Sequence, residues 1–430
     1  MSNASEGKIG FWAVVAIGVG GMVGGGIFAV LGLAVQLAHG GTPVAFALAG
    51  VVALLTTYSY AKLSVAYPSR GGTVTFLDRV FGSGMITGSL NVLLWLSYVV
   101  MLSLYAFAFG SYGARFLPQP WQAMGAHALI SLSVIVIAGL NLLSAEWIGL
   151  AENWIVGVKI TILLLFVGAG TASISTARIV PASWSPPVQL AAGGMIIFLA
   201  YEGFELIANT AQDVKDAART LPRAYYTAVL FVIGLYVAVS LVTVGNLPVD
   251  RIVAAKDYAL AEAARPFLGA AGFTLIAIAA MLSTASAINA TLYGAARLSY
   301  SIASDRELPA VLERKVWDEP VEGLLITTAL TLFVANVFDL TSISTLGSAG
   351  FLLIFAAVNA ANTRHAPQTN SHGWISAAGA VACVVALGAL VWQTVETAPR
   401  ELWVLAAMMA LAVAIEGSYR AAKHEIRLRD

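Results

Sequence analysis

The sequence predicts an all-α protein that crosses a membrane many times. Of its 430 residues, 59% are hydrophobic and only 11% are charged, whereas soluble domains carry about 25% charged residues. Apolar runs of about 18 residues or more recur along the chain, and each is long enough to span a bilayer as a helix. The formal net charge of zero gives no overall basic field that would attract nucleic acid. We therefore expect the lipid bilayer, and no nucleic acid, as a partner.

Hydropathy divides the chain into twelve spans, with glycine- and proline-rich turns between them. In order, the spans cover residues 10–38, 42–67, 83–116, 122–142, 146–174, 188–217, 222–247, 266–303, 321–337, 340–361, 374–394 and 401–421. We expect 1–430 to form one transmembrane domain. In this domain 1–174 and 188–361 would be two sets of five spans, and 374–421 would hold two peripheral spans.

The distribution of basic residues predicts that both termini are cytoplasmic. In that orientation sixteen lysines and arginines lie on the cytoplasmic side and six lie outside, a positive-inside bias. The cytoplasmic group is Lys8, Lys62, Arg70, Arg79, Lys215, Arg219, Arg223, Arg297, Arg306, Arg314, Lys315, Arg364, Arg420, Lys423, Arg427 and Arg429. The outer group is Arg115, Arg178, Arg251, Lys256, Arg265 and Arg400. One of the 23 basic residues belongs to neither side, and it is Lys159.

Lys159 interrupts the apolar stretch ENWIVGVKITILLLFVGAG, residues 152–170. A charged amine at the middle of a membrane helix costs about 3 kcal/mol on insertion scales. The side chain cannot easily reach an interface, because Lys159 is near the middle of the fifth span. We therefore predict that Lys159 faces the helix bundle and has a function there.

Two spans are predicted to be broken. Span 1 contains six glycines within GVGGMVGGG: Gly18, Gly20, Gly21, Gly24, Gly25 and Gly26. Each glycine costs a helix about 1 kcal/mol, so the last three favour unwinding over close helix packing. Span 6 places Glu202 and Glu205 around Gly203 at membrane depth, which is tolerated where backbone lines a cavity. Breaks at matching positions of two five-span sets indicate an inverted-repeat transporter with its site at the breaks.

These motifs resemble those of the amino acid–polyamine–organocation (APC) transporter family. GMVGGGIF (21–28) is similar to the family motif of the first span, and FLAYEGFE (198–205) with RTLPRA (219–224) is similar to the sixth span and its following loop. GNLPVD, AARPFLG, STASAINATLYG and ELPAVLERKVW resemble the ApcT-type proton-coupled members. The resemblance covers nearly the whole chain. It implies the LeuT-type 5+5 inverted repeat with broken helices 1 and 6, and proton-coupled, sodium-independent amino acid uptake by alternating access.

The resemblance also implies where an amino acid binds. The N–H groups of Gly24, Gly25 and Gly26 would receive the substrate carboxylate at the start of a half-helix, where the helix dipole favours an anion. Backbone carbonyls near Phe198 to Tyr201 would receive the α-ammonium. The side chains expected around the pocket are Tyr201, Phe204 and Tyr98, with Trp95 as a further candidate. For Tyr98 and Trp95, packing or a place in the interfacial aromatic belt is the alternative.

For proton coupling, the resemblance places Lys159 opposite the break in span 1, where a cation binds in sodium-coupled relatives of the fold. Its ammonium would donate to a carbonyl of Gly20 or Gly21 and to Ser283 or Ser286. These two serines and Asn289 recur every three residues on one face of span 8. Burial disfavours the charged form of an amine, so reversible loss of the proton would make and break a tie between spans 5 and 1.

The two acids of span 6 receive different expected roles. Glu202 lies in the break itself and is expected to influence substrate choice, either through a bound water that favours short neutral amino acids or by pairing with a cationic amine. Glu205 is expected to hold the second half-helix from its first turn. Close approach of substrate to the glycine backbone and aromatic walls predict broad selectivity among small and medium neutral amino acids.

Other function classes fit less well. We expect no enzyme, metal or cofactor, because the five histidines show no metal-ligand spacing and no Walker-type glycine–lysine loop occurs. A polyamine or organic-cation transporter and an amino acid exchanger of the same fold remain alternatives. A cation channel, built from glycine backbone and intramembrane acids, is a further one.

Three smaller expectations concern the chain as a whole. The single cysteine, Cys383, lies in an apolar run and is expected to serve as inert packing. The N-terminal segment lacks the pattern of a signal peptide, so the first span is expected to be retained. We expect a monomer in the cell (inner) membrane.

Overall fold

The computed structural model describes residues 9–143, 146–304 and 321–427. Within these ranges the helices are α1 (Phe11–Met22), α2 (Gly26–Ala38), α3 (Thr42–Ala66), α4 (Gly72–Phe81), α5 (Met85–Gly113), α6 (Gln122–Leu143), α7 (Glu146–Thr171), α8 (Pro187–Ile196), α9 (Ala217–Asn246), α10 (Val249–Ala254), α11 (Ala259–Ser304), α12 (Val321–Val337), α13 (Leu340–Arg364), α14 (Gly373–Thr397) and α15 (Pro399–Arg427). A 3₁₀ segment, Phe198–Asp213, follows α8. The orientation residues Lys8, Arg306, Arg314, Lys315 and Arg429, and the motif ELPAVLERKVW, lie outside the described residues.

Most of these helices are membrane spans. In the described part of the chain, nine helices are long and apolar enough to cross a membrane, and two bent helix pairs raise the number to as many as eleven. The predicted ninth span is α12, a shorter apolar helix of 17 residues. The all-α polytopic membrane class is confirmed, while the count of twelve spans and the LeuT-type repeat stay predictions.

Two helices differ from the hydropathy boundaries. The short helix α4 lies between spans 2 and 3, where hydropathy predicts no span because Asp78 and Arg79 make the stretch more polar. Its apolar face is nevertheless buried through Phe76 and Leu77. Helix α11 begins before the predicted eighth span, because two helices join there across a kink at Gly269, whose φ is 64°.

Both predicted breaks are present. The pair α1 and α2 bends by 46°, and α8 bends by 41° relative to the 3₁₀ segment that follows it. Helix α1 packs against this segment, while α2 packs against α8. The two broken spans are therefore antiparallel neighbours, each half lying beside the opposite half of its partner.

Two glycines allow these spans to touch through their backbones. A Cβ atom at Gly21 would lie 2.8 Å from the carbonyl oxygen of Gly203, and one at Gly203 would overlap the backbone of Gly21 and Met22. No real Cβ atom tolerates such distances. The crossing of α1 and the 3₁₀ segment therefore depends on glycine at both positions.

Backbone hydrogen bonds join the same spans at their outer ends. The Ile9 N–H donates to the Asp213 carbonyl at 2.9 Å, and the Lys215 N–H donates to the Ile9 carbonyl at 2.9 Å. At the opposite end of the molecule, the Gly40 N–H donates to the Ser183 carbonyl at 3.2 Å. Each half of span 1 is thus attached to a half of span 6 at a point far from the breaks.

A buried polar cluster attaches α14 to the rest of the bundle. The Ser59 hydroxyl donates to Asn359 Oδ1 at 2.6 Å, and Asn359 Nδ2 donates to Thr56 Oγ1 at 2.9 Å. Cys383 Sγ lies 3.5 Å from the same threonine oxygen, and the residue is fully buried. The cysteine thus packs among partners from α3 and α13.

Replacement of Gly203 by alanine is expected to destabilise the protein by about 1–3 kcal/mol, the usual cost of overpacking. The reason is that the new methyl group would push apart the backbones of α1 and the 3₁₀ segment. Thermal unfolding of the purified protein in detergent measures the effect. Gly234→Ala in α9 is the matched control, because nothing lies within 4 Å of its Cβ position. Equal melting temperatures for the two variants would contradict the close crossing.

Candidate functional site

The candidate site lies where the break in span 1 meets helices α5 and α11. Helix α1 ends at Met22 and α2 begins at Gly26. The ring of Tyr105 in α5 covers Gly25 so closely that a Cβ atom there would overlap it, and the methyl group of Thr284 in α11 would lie 3.0 Å from the same Cβ atom. The glycines therefore give neighbouring side chains direct access to the unwound backbone.

The start of α2 offers hydrogen-bond donors at this point. The first N–H groups of any α-helix have no acceptor inside the helix, and the helix dipole adds a partial positive charge. Helix α2 has 13 residues and begins at Gly26, the last glycine of the triplet, with Gly25 as its N-cap, so these groups belong to the end of the triplet and the first turn that follows. The break thus combines buried backbone donors that the helix itself does not use with a favourable field for an anion.

Side chains from α9 and α11 bind carbonyl groups that the breaks release. The Tyr236 hydroxyl of α9 donates to the Met22 carbonyl at 2.7 Å and lies 3.3 Å from the Ala200 carbonyl. Because Met22 ends α1 and Ala200 follows the break in span 6, one hydroxyl connects both breaks. The Ser283 hydroxyl of α11 donates to the Val23 carbonyl at 2.9 Å and also contacts the Gly24 carbonyl.

Ser348 of α13 fills the gap in span 6. Its hydroxyl donates to the Ile196 carbonyl at 2.9 Å and accepts from the Leu199 N–H at 3.2 Å. These two groups lie on either side of the break, so one hydroxyl replaces both a lost donor and a lost acceptor. The break in span 6 is consequently held by side chains rather than by the helix itself.

Lys159 lies where the sequence places it. It is the 14th of the 26 residues of α7, only 1% of its surface is exposed, and its ammonium donates to the Gly20 carbonyl at 3.0 Å. The close approach is possible because Gly20 has no side chain: a Cβ atom there would lie 3.0 Å from Val156. The expected contact with Gly20 is therefore present in the structure.

The other residues of the coupling prediction, together with Asn289 on the same face of span 8, have different neighbours. Gly21 turns toward Gly203 instead of α7, and Ser283 binds carbonyls of the break as described above. Ser286 is buried in α11. Asn289 accepts a hydrogen bond from Asn141 Nδ2 at 2.7 Å and thus faces α6. Of the three polar residues on this face of span 8, Ser283 is the one that contacts the break directly.

The two acids of the 3₁₀ segment have different surroundings. Glu205 Oε2 accepts from the Tyr60 hydroxyl at 3.1 Å and from Thr73 Oγ1 at 3.0 Å, so this carboxyl group connects the segment to α3 and α4. Glu202 interacts with the Tyr105 hydroxyl. Residues three apart stack on one face of a 3₁₀ helix, so the two acids share that face.

Two of the aromatic side chains expected to line a pocket, Tyr98 and Phe204, pack with Phe198 into a cluster around Phe355 of α13. The ring of Phe198 lies 5.9 Å and that of Phe204 5.2 Å from the Phe355 ring. Tyr98 joins through Phe351, at 6.1 Å, and its hydroxyl lies next to Glu205. These side chains join the 3₁₀ segment to α5 and α13.

The remaining two aromatic candidates are also held by partners. The Tyr201 hydroxyl donates to the Phe46 carbonyl of α3 at 3.0 Å, and its ring packs at 5.1 Å from that of Tyr236. Trp95 Nε1 donates to Thr327 Oγ1 of α12 at 3.1 Å. Trp95 therefore faces α12, in line with the packing alternative.

Sequence reasoning did not single out Tyr105, Tyr236 or Ser348. Each is one of several hydroxyl residues in a long apolar helix, and a buried hydroxyl of this kind needs a hydrogen-bond partner. That rule signals that a partner exists without saying which one. Many other buried tyrosines and serines of this chain satisfy the same rule.

Comparison with known proteins agrees with this arrangement. Residues 9–415 match the family model described as amino acid permease. The Escherichia coli inner membrane transport protein YbaT is 38% identical over 83% of this chain and 83% of its own length. An uncharacterized protein of Methanocaldococcus jannaschii is 38% identical over 82% and 81%. The Bacillus subtilis branched-chain amino acid permease BcaP is 24% identical over 71% and 69%.

The family match extends over both broken spans and over the helices that supply Lys159, Tyr236 and Ser283. The polytopic helical fold, the paired breaks and this match lead to one conclusion. The chain belongs to the amino acid permease family of APC transporters.

Proposed function

We propose that this permease is a secondary active transporter that takes up amino acids together with protons and without sodium, by alternating access. The observation that carries the proposal is the buried ammonium of Lys159 on the Gly20 carbonyl, 3.0 Å away. A fixed cation next to the break in span 1 leaves no need for a bound metal cation at that position. We further propose that the permease resides in the inner membrane, as the name of its E. coli relative suggests, with both termini cytoplasmic.

Lys159 supplies a two-state element. When charged, its ammonium ties α7 to α1; when neutral, the amine is a poorer donor and the tie weakens. The Gly20 carbonyl on α1 accepts from this ammonium, and the buried serines Ser283 and Ser286 belong to α11, which packs against α7. The buried acids Glu202 and Glu205 belong to the segment that packs on α1 through Gly21, whereas Gly20 faces α7. A proton can thus bias the position of α1.

The substrate carboxylate is proposed to bind the N–H groups of Gly24, Gly25 and Gly26 at the start of α2. Every amino acid has the carboxylate that these N–H groups would bind, so they do not distinguish one amino acid from another. Selectivity would come from the surrounding side chains. Tyr105, Thr284 and Ala287 approach the glycines closely, and we propose that they restrict the site to small and medium neutral side chains. A broad preference for such amino acids follows.

Lys159→Ala is expected to abolish concentrative uptake by proteoliposomes under an inward proton gradient, because the variant has no proton-dependent tie between α7 and α1. Wild-type uptake is expected to require the proton gradient and to be indifferent to sodium. Lys215→Ala, which changes an exposed lysine outside the spans, is the matched control and should behave like the wild type. Sodium-dependent and pH-insensitive uptake by the wild-type protein would overturn the proposal.

Tyr236→Phe is expected to lower stability by about 1–3 kcal/mol, because it leaves a buried carbonyl without its donor, and to raise KM for uptake. Tyr112→Phe is the control, since that hydroxyl donates to the Phe28 carbonyl at 3.0 Å, beyond the break. Both variants should melt earlier than the wild type, but only the first should change KM. An unchanged KM in Tyr236→Phe would contradict a link between this hydroxyl and the site.

Competition experiments are expected to require both the α-amino and the α-carboxylate group. A fatty acid or a simple amine should not reduce uptake of a radiolabelled neutral amino acid, since each lacks one of the two anchoring groups. Neutral amino acids of small and medium size should compete. Undiminished competition by a plain amine would instead favour a polyamine or organic-cation transporter.

A further inference from the structure

The Ser348 hydroxyl of α13 binds the backbone on both sides of the break in span 6. It donates to the Ile196 carbonyl at 2.9 Å and accepts from the Leu199 N–H at 3.2 Å. Ile196 is the last residue of α8, and the 3₁₀ segment begins at Phe198. One side-chain oxygen therefore fixes both ends of the short stretch that contains the break, and with them the orientation of the peptide groups in between.

Helix α13 packs directly on the same stretch. A Cβ atom at Gly347 would lie 2.9 Å from a methyl group of Leu199, so glycine at this position lets the helix approach the break closely. The ring of Phe355, two turns further along α13, lies 5.9 Å from that of Phe198. Ser348 is fully buried, so solvent does not compete for its hydrogen bonds.

The other contacts at this break lead to span 1. The Ile197 carbonyl accepts from the Ala200 N–H at 2.9 Å. The Ala200 carbonyl lies 3.3 Å from the Tyr236 hydroxyl, which donates to the Met22 carbonyl at 2.7 Å. Loss of the Ser348 hydroxyl would take away the partner of one buried carbonyl and one buried N–H. Because unpaired backbone groups are costly inside a membrane, the stretch would have to rearrange.

We propose that Ser348 is a positioning residue for the α-ammonium group of the substrate. This inference rests on the proposed amino acid transport, with the backbone carbonyls near Phe198 to Tyr201 receiving that group. A primary ammonium has three N–H donors, and each forms a good hydrogen bond only with an acceptor in a suitable direction. Ser348 acts through the backbone: it sets the direction of carbonyls that bind the ammonium and does not itself touch the substrate.

The consequence is selectivity for a primary amine. In N-methyl-L-alanine a methyl group replaces one N–H of the ammonium, so one hydrogen bond is lost and the methyl group meets backbone that Ser348 holds in place. We expect the wild-type protein to bind L-alanine about tenfold to a hundredfold more tightly than N-methyl-L-alanine, the difference typical of one hydrogen bond to a charged group.

Binding to the purified protein at fixed pH tests this role without requiring proton coupling. The first readout is the Kd of N-methyl-L-alanine divided by that of L-alanine, which reports on the ammonium. The second is the Kd of L-2-aminobutyrate divided by that of L-alanine, which reports on the side-chain pocket. In Ser348→Ala we expect the first ratio to fall about tenfold, because L-alanine loses the well-placed acceptors that the methylated analogue cannot fully use. The second ratio should stay at its wild-type value.

Ser344→Ala is the matched control. Ser344 lies one turn before Ser348 in α13 and is fully buried, but its hydroxyl has no hydrogen-bond partner among the residues that the structure describes. Both ratios should therefore be unchanged in this variant. Ser348→Cys serves if Ser348→Ala does not fold, since a thiol is only a weak donor and acceptor, and its first ratio should also fall. Ratios of Kd values do not depend on the fraction of folded protein.

Three results would overturn the inference. One is a wild-type first ratio in the Ser348 variants, and another is a wild-type protein that binds N-methyl-L-alanine as tightly as L-alanine. The third is an equal change of both ratios, which would show that the serine supports the whole site and not the ammonium in particular. Failure of the wild-type protein to bind any common neutral amino acid would instead refute the proposed function.

Discussion

A helix that is broken inside a membrane releases backbone N–H and C=O groups that must find other partners, because lipid offers none. In this permease hydroxyl and amine side chains meet that requirement for the released carbonyls. Tyr236, Ser283, Ser348 and Lys159 come from four different helices and bind carbonyls at or next to the two breaks. The arrangement of the bundle around the site follows from where these helices must lie.

The same requirement brings one titratable side chain to the breaks. Three of the four donors are neutral hydroxyl groups whose hydrogen bonds persist across the physiological pH range, and the fourth is an amine that can lose its proton. Of these four hydrogen bonds, three do not change with pH and the one from Lys159 does. In the proposed mechanism, that contact is the one on which the proton acts.

Helix α1 separates two buried sets of ionisable groups. On one side Gly20 faces α7 and the lysine, and on the other Gly21 meets Gly203 between the two acids. Adjacent glycines allow both neighbours to approach the backbone of α1 directly. A shift of α1 would therefore change the surroundings of the lysine and of the acids at the same time. Coupling between a proton and a substrate requires such a connection between two sites.

Much of this could be predicted from local patterns. Hydropathy identified the spans, since a bilayer requires long apolar helices, and the glycine triplet and the acids around Gly203 indicated the breaks. Lys159 stood out because a charge at mid-span is costly, and its contact with Gly20 followed from resemblance to a family. The roles of these residues in transport stay predictions.

The partners of ordinary residues were decided by tertiary packing. Tyr105, Tyr236 and Ser348 look like many other hydroxyl residues in apolar helices, and only the crossing of distant helices brings them to the breaks. The expected aromatic walls likewise have partners that the sequence does not name, since the Phe204 ring packs 5.2 Å from that of Phe355 on a distant helix. The local sequence shows which polar groups are unfavourable inside a membrane span. The side chain that binds such a group comes from a remote helix, so it is known only from the packing of the helices.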